Sequence, residues 1–303
     1  MPNLNLRERL VDPSSPERRP RRAAYALPTF FTAGNIFLGF VAIGHCLQGA
    51  IAAVTNEPAG ATHFDDAAKA IGWAVLLDGL DGRIARMTNT VSEFGKEMDS
   101  LADVISFGLA PAVLAFVWGV QFATTGDAHP LVAKHLIGMG TFAAFLFLLC
   151  GSLRLARFNV QKNPVPTNPG RPDRKYFVGM PIPAAAGFVA ATVHAFEGQL
   201  LHYWVFSLIW LALIGGGAML MISTWRYPSF KEINTLTPKS PLMFILFALV
   251  VFLIWKFEFF LLVLAGVYVS SGMVIRIGGF IRRRLRPPSG QAGGEPHPER
   301  QVG

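Results

Sequence analysis

The sequence predicts an all-α membrane protein, a bundle of about eight transmembrane helices with both termini in the cytoplasm. Hydrophobic residues make up 52% of the 303 residues, charged residues only 15%, and the mean hydropathy is +0.41. Soluble domains carry roughly 25% charged residues, so an ordinary soluble fold is excluded. The apolar residues form long runs, and a helix crosses a bilayer with about 20 such residues.

Basic residues define the predicted orientation of the spans. Nearly every Lys and Arg falls in a segment that this topology places in the cytoplasm; Lys69, Lys134 and Lys256 are the exceptions. This bias follows the positive-inside rule. It accounts for the net charge of +8 better than a nucleic-acid partner, which would require a basic domain with aromatic residues. The predicted spans are about 28–52, 62–87, 97–122, 131–153, 179–196, 201–223, 241–255 and 257–275.

Composition divides the chain into four parts. A basic cytoplasmic tail (1–24) precedes the main membrane domain (25–232). Two further helices with a basic flank follow (233–286), and the Pro/Gly-rich end (287–303) is predicted to be disordered. The two cysteines, Cys46 and Cys150, lie in apolar runs and are expected to be core residues.

Four aspartates at helical spacing form the predicted functional site. Asp78 and Asp81 are three residues apart, and Asp99 and Asp103 are four apart, so each pair projects from one face of its helix. The pairs lie on consecutive predicted spans joined by a turn over 88–96. Helices joined by so short a turn are antiparallel neighbours. We therefore expect the two pairs to face each other.

Such a group of carboxylates predicts a divalent-metal site. The charges would repel each other strongly near a membrane unless cations lay between them. Hard oxygen ligands with no nearby Cys or His favour Mg²⁺, Mn²⁺ or Ca²⁺ over zinc. Paired metals on carboxylates clamp phosphates, Arg86 can add a guanidinium, and Gly82 and Gly95 leave room beside the backbone. One carboxylate could instead serve as a general base, and the spacing does not decide between Asp99 and Asp103.

Two other interpretations explain the aspartates less completely. They could be helix caps and salt-bridge partners of Arg83, Arg86 and Lys96. Alternatively, they could form the ion site of a divalent-cation transporter. A transporter site would not require the two glycines or Arg86, and it would not place all four acids at one end of the spans.

The pattern D-x2-D-G-x2-A-R-x8-G-x3-D-x3-D, which runs from Asp78 to Asp103, is the signature of the CDP-alcohol phosphatidyltransferases. The chain matches every fixed position and is identified as a member of that family. The resemblance implies a six-helix core, here with two helices added, and a homodimer. Softer motifs resemble the branch of the family whose acceptor alcohol is L-serine; they are Thr32–Phe40, Ser106–Pro111, Arg154–Asn159, Gly179–Gly187 and Tyr227–Lys231.

The resemblance implies transfer of the phosphatidyl group from CDP-diacylglycerol to the serine hydroxyl, with release of CMP. Asp78, Asp81 and Asp99 would ligate two divalent ions, Mg²⁺ or Mn²⁺. Asp103 would accept the proton of the attacking hydroxyl and also contact a metal. The residues implied to contact CDP-diacylglycerol are Asn35, Gly82, Arg86, Ser92 and Gly95.

Arg154 and Arg157 are candidates for binding the acceptor. They lie three residues apart at the end of the fourth predicted span, with Asn159 close behind. Arg forms planar two-point contacts with a carboxylate. We therefore expect this group of residues to bind the carboxylate of serine. Two alternatives remain: the arginines only set the topology, or the acceptor is choline, inositol phosphate or glycerol phosphate. The expected location is the inner membrane, with the active site facing the cytoplasm.

Overall fold

The structure is a computed structural model that is mostly helical. It describes 22–55, 57, 59–87, 93–122, 130–160, 167–168, 171–228 and 257–285. It describes the backbone alone at 22–29, 81–87, 93, 130, 167–168, 171–176, 228, 257–258 and 279–285. The helices of this part of the chain are α1 (Arg22–Thr55), α2 (Gly60–Met87), α3 (Glu93–Asp103), α4 (Ala110–Phe116), α5 (Pro130–Val160), α6 (Ile182–Ala195), α7 (Trp204–Ile222) and α8 (Phe257–Leu285).

The helices confirm a polytopic membrane protein. Five helical segments of the described chain are long and apolar enough to cross a bilayer: Phe30–Thr55, Phe94–Gln121, Leu131–Val160, Trp204–Ile222 and Phe259–Gly278. Large apolar side chains such as Phe37 and Phe142 are exposed on their outer faces, where lipid would cover them. Cys46 and Cys150 are both buried, as predicted.

The remaining predicted spans differ from these five. The second span forms α2, which carries more charge than the five apolar segments. The fifth span forms α6, whose 14 residues extend only about 21 Å. The seventh, predicted over 241–255, lies outside the described residues, as do the tail 1–21 and the end 286–303. The count of eight and the cytoplasmic placement of the termini therefore stay predictions.

Helix α3 begins earlier than the hydropathy indicated. The turn was predicted to extend to residue 96, but Glu93–Lys96 form the first turn of α3. Hydropathy misses this turn because it is polar. The correction shortens the connection after α2, since at most 88–92 separate it from α3.

Two π-helical stretches, Val104–Leu109 and Val117–Gln121, interrupt the segment that follows Asp103. The first ends just before Pro111, which lies in the first turn of α4. A proline ring collides with the carbonyl four residues earlier in a regular α-helix, and a wider turn before it relieves that collision. In the most apolar 18-residue window of Phe94–Gln121, 56% of the residues are buried, a larger share than in the other four segments, so this segment occupies the centre of the bundle.

A three-stranded sheet corrects the all-α prediction. It contains β1 (Thr167–Asn168), β2 (Arg171–Val178) and β3 (Arg226–Pro228), with β2 in the middle and antiparallel to both neighbours. Between the predicted spans 131–153 and 179–196 the sequence is polar and rich in proline, which favours a loop. Strand β2 instead finds its partner about 50 residues away, as Phe177 lies opposite Tyr227 and Val178 opposite Arg226.

Glycine makes the connection from β2 to α6 possible. Gly179 has a φ of +77°, a left-handed conformation that residues with a side chain rarely adopt. A Cβ atom there would collide with the carbonyl oxygen of Met221. The Gly179 amide donates to the Trp225 carbonyl at 2.8 Å, and the Met180 amide donates to the Leu220 carbonyl at 3.0 Å. These contacts hold the end of β2 against the end of α7.

Candidate active site

Three of the four predicted carboxylates converge. Asp78 on α2 and Asp99 and Asp103 on α3 each place one carboxylate oxygen within 4.8 Å of those of the other two. Asp103 is buried, whereas Asp78 and Asp99 are half-buried. Two unit charges at such a distance repel by about 3 kcal/mol with an effective dielectric constant of about 20. The group is therefore stable in its ionised form only with compensating positive charge.

The geometry of this aspartate cluster fits a hard divalent cation. Oxygens on opposite sides of an octahedral Mg²⁺ lie about 4.2 Å apart, and those of Ca²⁺ somewhat further. The cluster offers carboxylate oxygens at a comparable separation, and its three members contain neither Cys nor His. Asp81 follows Asp78 by one turn of α2, but its side chain lies outside the described residues.

The structure describes the predicted CDP-contacting residues only in part. Gly82 and Arg86 lie on the last turns of α2, where only the backbone is described. Ser92 lies outside the described residues. Gly95 is on α3, one turn before Asp99; its expected role in leaving room for the donor stays a prediction.

Asn35 on α1 lies close to the parts of the chain that carry Asp78 and Asp103. A Cβ atom built on the neighbouring Gly34 would lie 3.8 Å from the side chain of Leu77, the residue before Asp78. The carbonyl of Asn35 accepts a 2.8 Å hydrogen bond from the hydroxyl of Ser106, which follows Asp103 by three residues. The Asn35 side chain is fully buried, and neither of its amide atoms has a hydrogen-bond partner among the described residues. Because a buried amide without hydrogen bonds is unfavourable, this residue is suited to bind a polar ligand.

Both candidate acceptor-binding arginines line a cavity of about 260 Å³. Its volume is below the roughly 300–1,000 Å³ of sites for drug-sized ligands, so it suits a small molecule. Two guanidinium groups in an apolar wall favour an anionic group such as a carboxylate. The lining residues are Leu153, Arg154, Arg157 and Phe158 of α5, Phe177 and Val178 of β2, and Met221 and Ile222 of α7.

An electrostatic interaction and a hydrogen bond connect this cavity with the aspartate cluster. The guanidinium of Arg154, which is half-buried, interacts electrostatically with Asp103. Asn159 donates a 2.9 Å hydrogen bond to the hydroxyl of Ser100, the residue after Asp99. The Ser100 hydroxyl in turn donates to the carbonyl of Lys96 at 3.0 Å. In this structure the Asn159 amide therefore joins α5 to α3, and it is Arg154 and Arg157 that line the cavity.

Sequence comparison identifies the family. The model of the CDP-alcohol phosphatidyltransferase family matches residues 25–216, which is more than half of the 303 residues. The chain belongs to the CDP-alcohol phosphatidyltransferase family. Its aspartate cluster lies within the matched region, whereas β3 and α8 lie beyond it.

Several curated relatives of this phosphatidyltransferase carry the name CDP-diacylglycerol–serine O-phosphatidyltransferase. The Helicobacter pylori protein is 37% identical over 222 residues, which cover 71% of this chain and 77% of the relative. The Methanocaldococcus jannaschii protein is 32% identical over 206 residues, covering 68% and 82% respectively. The Bacillus subtilis protein is 30% identical over 208 residues, covering 68% and 92%.

Sequence reasoning missed several residues near the site of this phosphatidyltransferase. Tyr268 on α8 interacts electrostatically with Arg154, although it comes from a helix without any motif. Ser100 binds Asn159, and Phe177 and Met221 line the cavity. These residues come together only in the folded protein, from elements far apart in the chain, so no local sequence motif could have revealed them.

The aspartate cluster predicts measurable metal binding. We expect Mn²⁺ or Mg²⁺ to raise the melting temperature of the purified protein in detergent, since a ligand at about 100 times its Kd stabilises the native state by about 2.7 kcal/mol. Asp78→Asn or Asp99→Asn should weaken Mn²⁺ binding more than about tenfold, because each removes a charged ligand. Titration followed by electron paramagnetic resonance measures the affinity directly.

Asp66→Asn is the matched control, because Asp66 is on the same helix as Asp78 but contacts Lys69, not the cluster. Its Mn²⁺ affinity should equal that of the unsubstituted protein. Equal losses in the control and in the cluster variants would contradict the assignment.

Proposed function

We propose that this phosphatidyltransferase transfers the phosphatidyl group of CDP-diacylglycerol to the hydroxyl of L-serine, giving phosphatidylserine and CMP. The observation that carries the proposal is the position of Arg154, which lines a small cavity and also interacts with Asp103 of the aspartate cluster. A compact acceptor with a carboxylate would then lie next to a candidate base. The names of the curated relatives support the same acceptor.

Asp103 is the proposed general base. It is buried at the end of α3, just before the first π-helical stretch. Helix α5, which carries the two arginines of the cavity, packs against that stretch, so Asp103 would lie on the side from which a bound acceptor approaches. Asp103 would take the proton as the serine hydroxyl attacks the phosphorus that carries diacylglycerol. The bond from that phosphorus to the oxygen of CMP then breaks, and CMP leaves.

Asp78, Asp81 and Asp99 are the proposed ligands of two divalent ions, Mg²⁺ or Mn²⁺. Such ions would supply positive charge to the pyrophosphate and to the leaving CMP. The residues proposed to contact CDP-diacylglycerol are Asn35, Gly82, Arg86, Ser92 and Gly95.

The proposed acceptor site consists of Arg154 and Arg157, with Asn159 holding the end of α5 against α3 through Ser100. Arg154 is half-buried and Arg157 exposed, so the two differ in how strongly solvent screens them. We expect Arg154 to contribute more, because an ion pair in a less exposed position is less screened. The enzyme is proposed to be a homodimer of the inner membrane, with this site facing the cytoplasm.

The acceptor assay tests the proposal as a whole. Membranes or detergent-solubilised protein are given CDP-diacylglycerol, Mn²⁺ and one alcohol at a time, and CMP release is measured by chromatography. We expect release with L-serine that exceeds release with choline, inositol phosphate or glycerol phosphate by more than about tenfold, because the cavity offers cationic groups for a carboxylate in a small volume. A faster reaction with another alcohol would refute the serine assignment but leave the family's reaction intact.

Replacing the proposed base separates chemistry from donor binding. Asp103→Asn should lower kcat by at least about 100-fold, the range associated with losing a general base, while CDP-diacylglycerol still binds. Donor binding is followed by the shift in melting temperature, and turnover by CMP release. Undiminished turnover would refute the role of Asp103, and Asp66→Asn, at the other end of α2, should behave like the unsubstituted enzyme.

Replacing the arginines tests the acceptor site. Arg154→Gln should raise the KM for serine by about 10- to 100-fold, because it removes a charge-assisted contact worth roughly 1.5–3 kcal/mol, and Arg157→Gln should have a smaller effect. The KM for CDP-diacylglycerol should change little. Lys134→Gln, an exposed charge near the other end of α5, is the control. A serine KM that neither arginine substitution alters would show that these residues only set the topology.

A further inference from the structure

A pair of histidines joins the first two helices far from the aspartate cluster. His45 on α1 and His63 on α2 place their Nδ1 atoms 3.4 Å apart, and their ring centres are 5.7 Å apart. Both residues are half-buried. His63 precedes Asp78 by 15 residues on the same helix, a distance of about 22 Å along the helix axis. The pair therefore lies at the other end of α2 from the candidate active site.

The hairpin formed by α1 and α2 holds the two rings at this distance. Only 56–59 separate the two helices, and so short a connection makes them antiparallel neighbours. One turn beyond His45, a Cβ atom at Gly49 would lie 2.9 Å from the ring of Phe64, the residue after His63. Glycine at that position therefore permits the close approach of the helices that brings the histidines together.

The hydrogen bonding of this pair differs from that of two other histidines. The Nδ1 atom of His135 lies 2.6 Å from a backbone carbonyl oxygen, and that of His194 lies 2.5 Å from a carboxylate oxygen of Asp65. His45 and His63 instead meet nitrogen to nitrogen, so that one ring donates and the other accepts. Within the part of the chain that the structure describes, neither of these two rings bonds to a carboxylate or a carbonyl.

The separation of the two nitrogens matches that of two ligands on one tetrahedral metal ion. Zn²⁺ binds imidazole nitrogen at about 2.0–2.1 Å, which places two ligands of a regular tetrahedron about 3.3–3.4 Å apart. The two Nδ1 atoms are 3.4 Å apart, so a small turn of the rings directs both lone pairs at a single ion. The proton between the rings then moves to Nε2 of the ring that donated it, and both imidazoles remain neutral.

Imidazole ligands select a different class of ion from that expected at the aspartate cluster. Borderline ions such as Zn²⁺, Ni²⁺ and Cu²⁺ suit imidazole nitrogen, whereas Mg²⁺ prefers carboxylate oxygens. The aspartate cluster consists of carboxylates alone. Because His45 and His63 are only half-buried, water can occupy the remaining positions on an ion bound between them. We therefore expect the two sites to bind their ions independently.

We propose that His45 and His63 form a second metal site, which binds one borderline transition-metal ion such as Zn²⁺ through both Nδ1 atoms and links α1 to α2. This site is independent of the proposed function, since it involves neither the acceptor cavity nor the aspartate cluster. It differs from a purely structural role, in which the two rings only share a hydrogen bond that stabilises the hairpin.

The test is Zn²⁺ binding to the purified full-length protein in detergent, measured by calorimetry with excess Mg²⁺ present to occupy the aspartate cluster. We expect one Zn²⁺ per chain under these conditions. His45→Gln or His63→Gln should weaken its binding more than about tenfold, because each removes one of the two imidazole ligands. With Cu²⁺ as the probe, electron paramagnetic resonance should show splitting from two nitrogens in the unsubstituted protein and from one in either variant.

His135→Gln is the matched control, since His135 is an exposed histidine of α5, and its Zn²⁺ affinity should equal that of the unsubstituted protein. Asp78→Asn should also leave Zn²⁺ binding unchanged. Zn²⁺ binding that persists when both His45 and His63 are replaced by Gln would overturn the proposal, and so would an equal loss in Asp78→Asn. If the unsubstituted protein binds no Zn²⁺ and the histidine variants only melt at a lower temperature, the pair is a structural hydrogen bond and the proposal is wrong.

Discussion

Mutual repulsion among three carboxylates is the constraint on which this structure depends. Asp78, Asp99 and Asp103 have no reason to converge for stability alone, because each approach raises the free energy of the folded state. The bundle nevertheless brings them together through α2 and α3, two helices separated by at most five residues. The short connection allows little freedom, so the helices that carry the charges also enforce their proximity. Bound divalent cations would offset this repulsion and stabilise the arrangement.

Hydrogen bonds attach two further helices to the part of the chain that carries Asp99 and Asp103. Asn35 and Ser106 join α1 to the segment beyond Asp103, and the tight approach there depends on Gly39, where a Cβ atom would lie 2.7 Å from the Ser106 hydroxyl. Asn159 and Ser100 join α5 to α3. Helices α1 and α5 are therefore both held against the segment Glu93–Leu109, which carries Asp99 and Asp103. The proposed transfer would require such a shared frame, since both substrates must be held at the same phosphorus.

The sequence predicted the features that depend on local spacing. The aspartate pairs lie on neighbouring helices as expected because their periodicity and the short turn are encoded within about 25 residues of one another. Prediction from the sequence failed where the local pattern was weak or where a structure depends on residues far along the chain. The first turn of α3 is too polar for hydropathy to detect, and β2 owes its existence to pairing with β3 far along the chain. The contact of the Tyr268 ring on α8 with the Tyr227 ring of β3, 5.8 Å between their centres, likewise joins residues far apart in the chain.

The two π-helical stretches after Asp103 affect how related chains are to be compared. A turn with hydrogen bonds from residue i to i+5 holds one more residue than an α-helical turn, so 104–121 contains residues that a continuous α-helix would not accommodate. A chain lacking one residue in either stretch could form a regular turn there and still present the same faces further along. Single-residue gaps in this segment are therefore compatible with an unaltered bundle, and helical wheels drawn through it without a break assign the wrong side chains to the core.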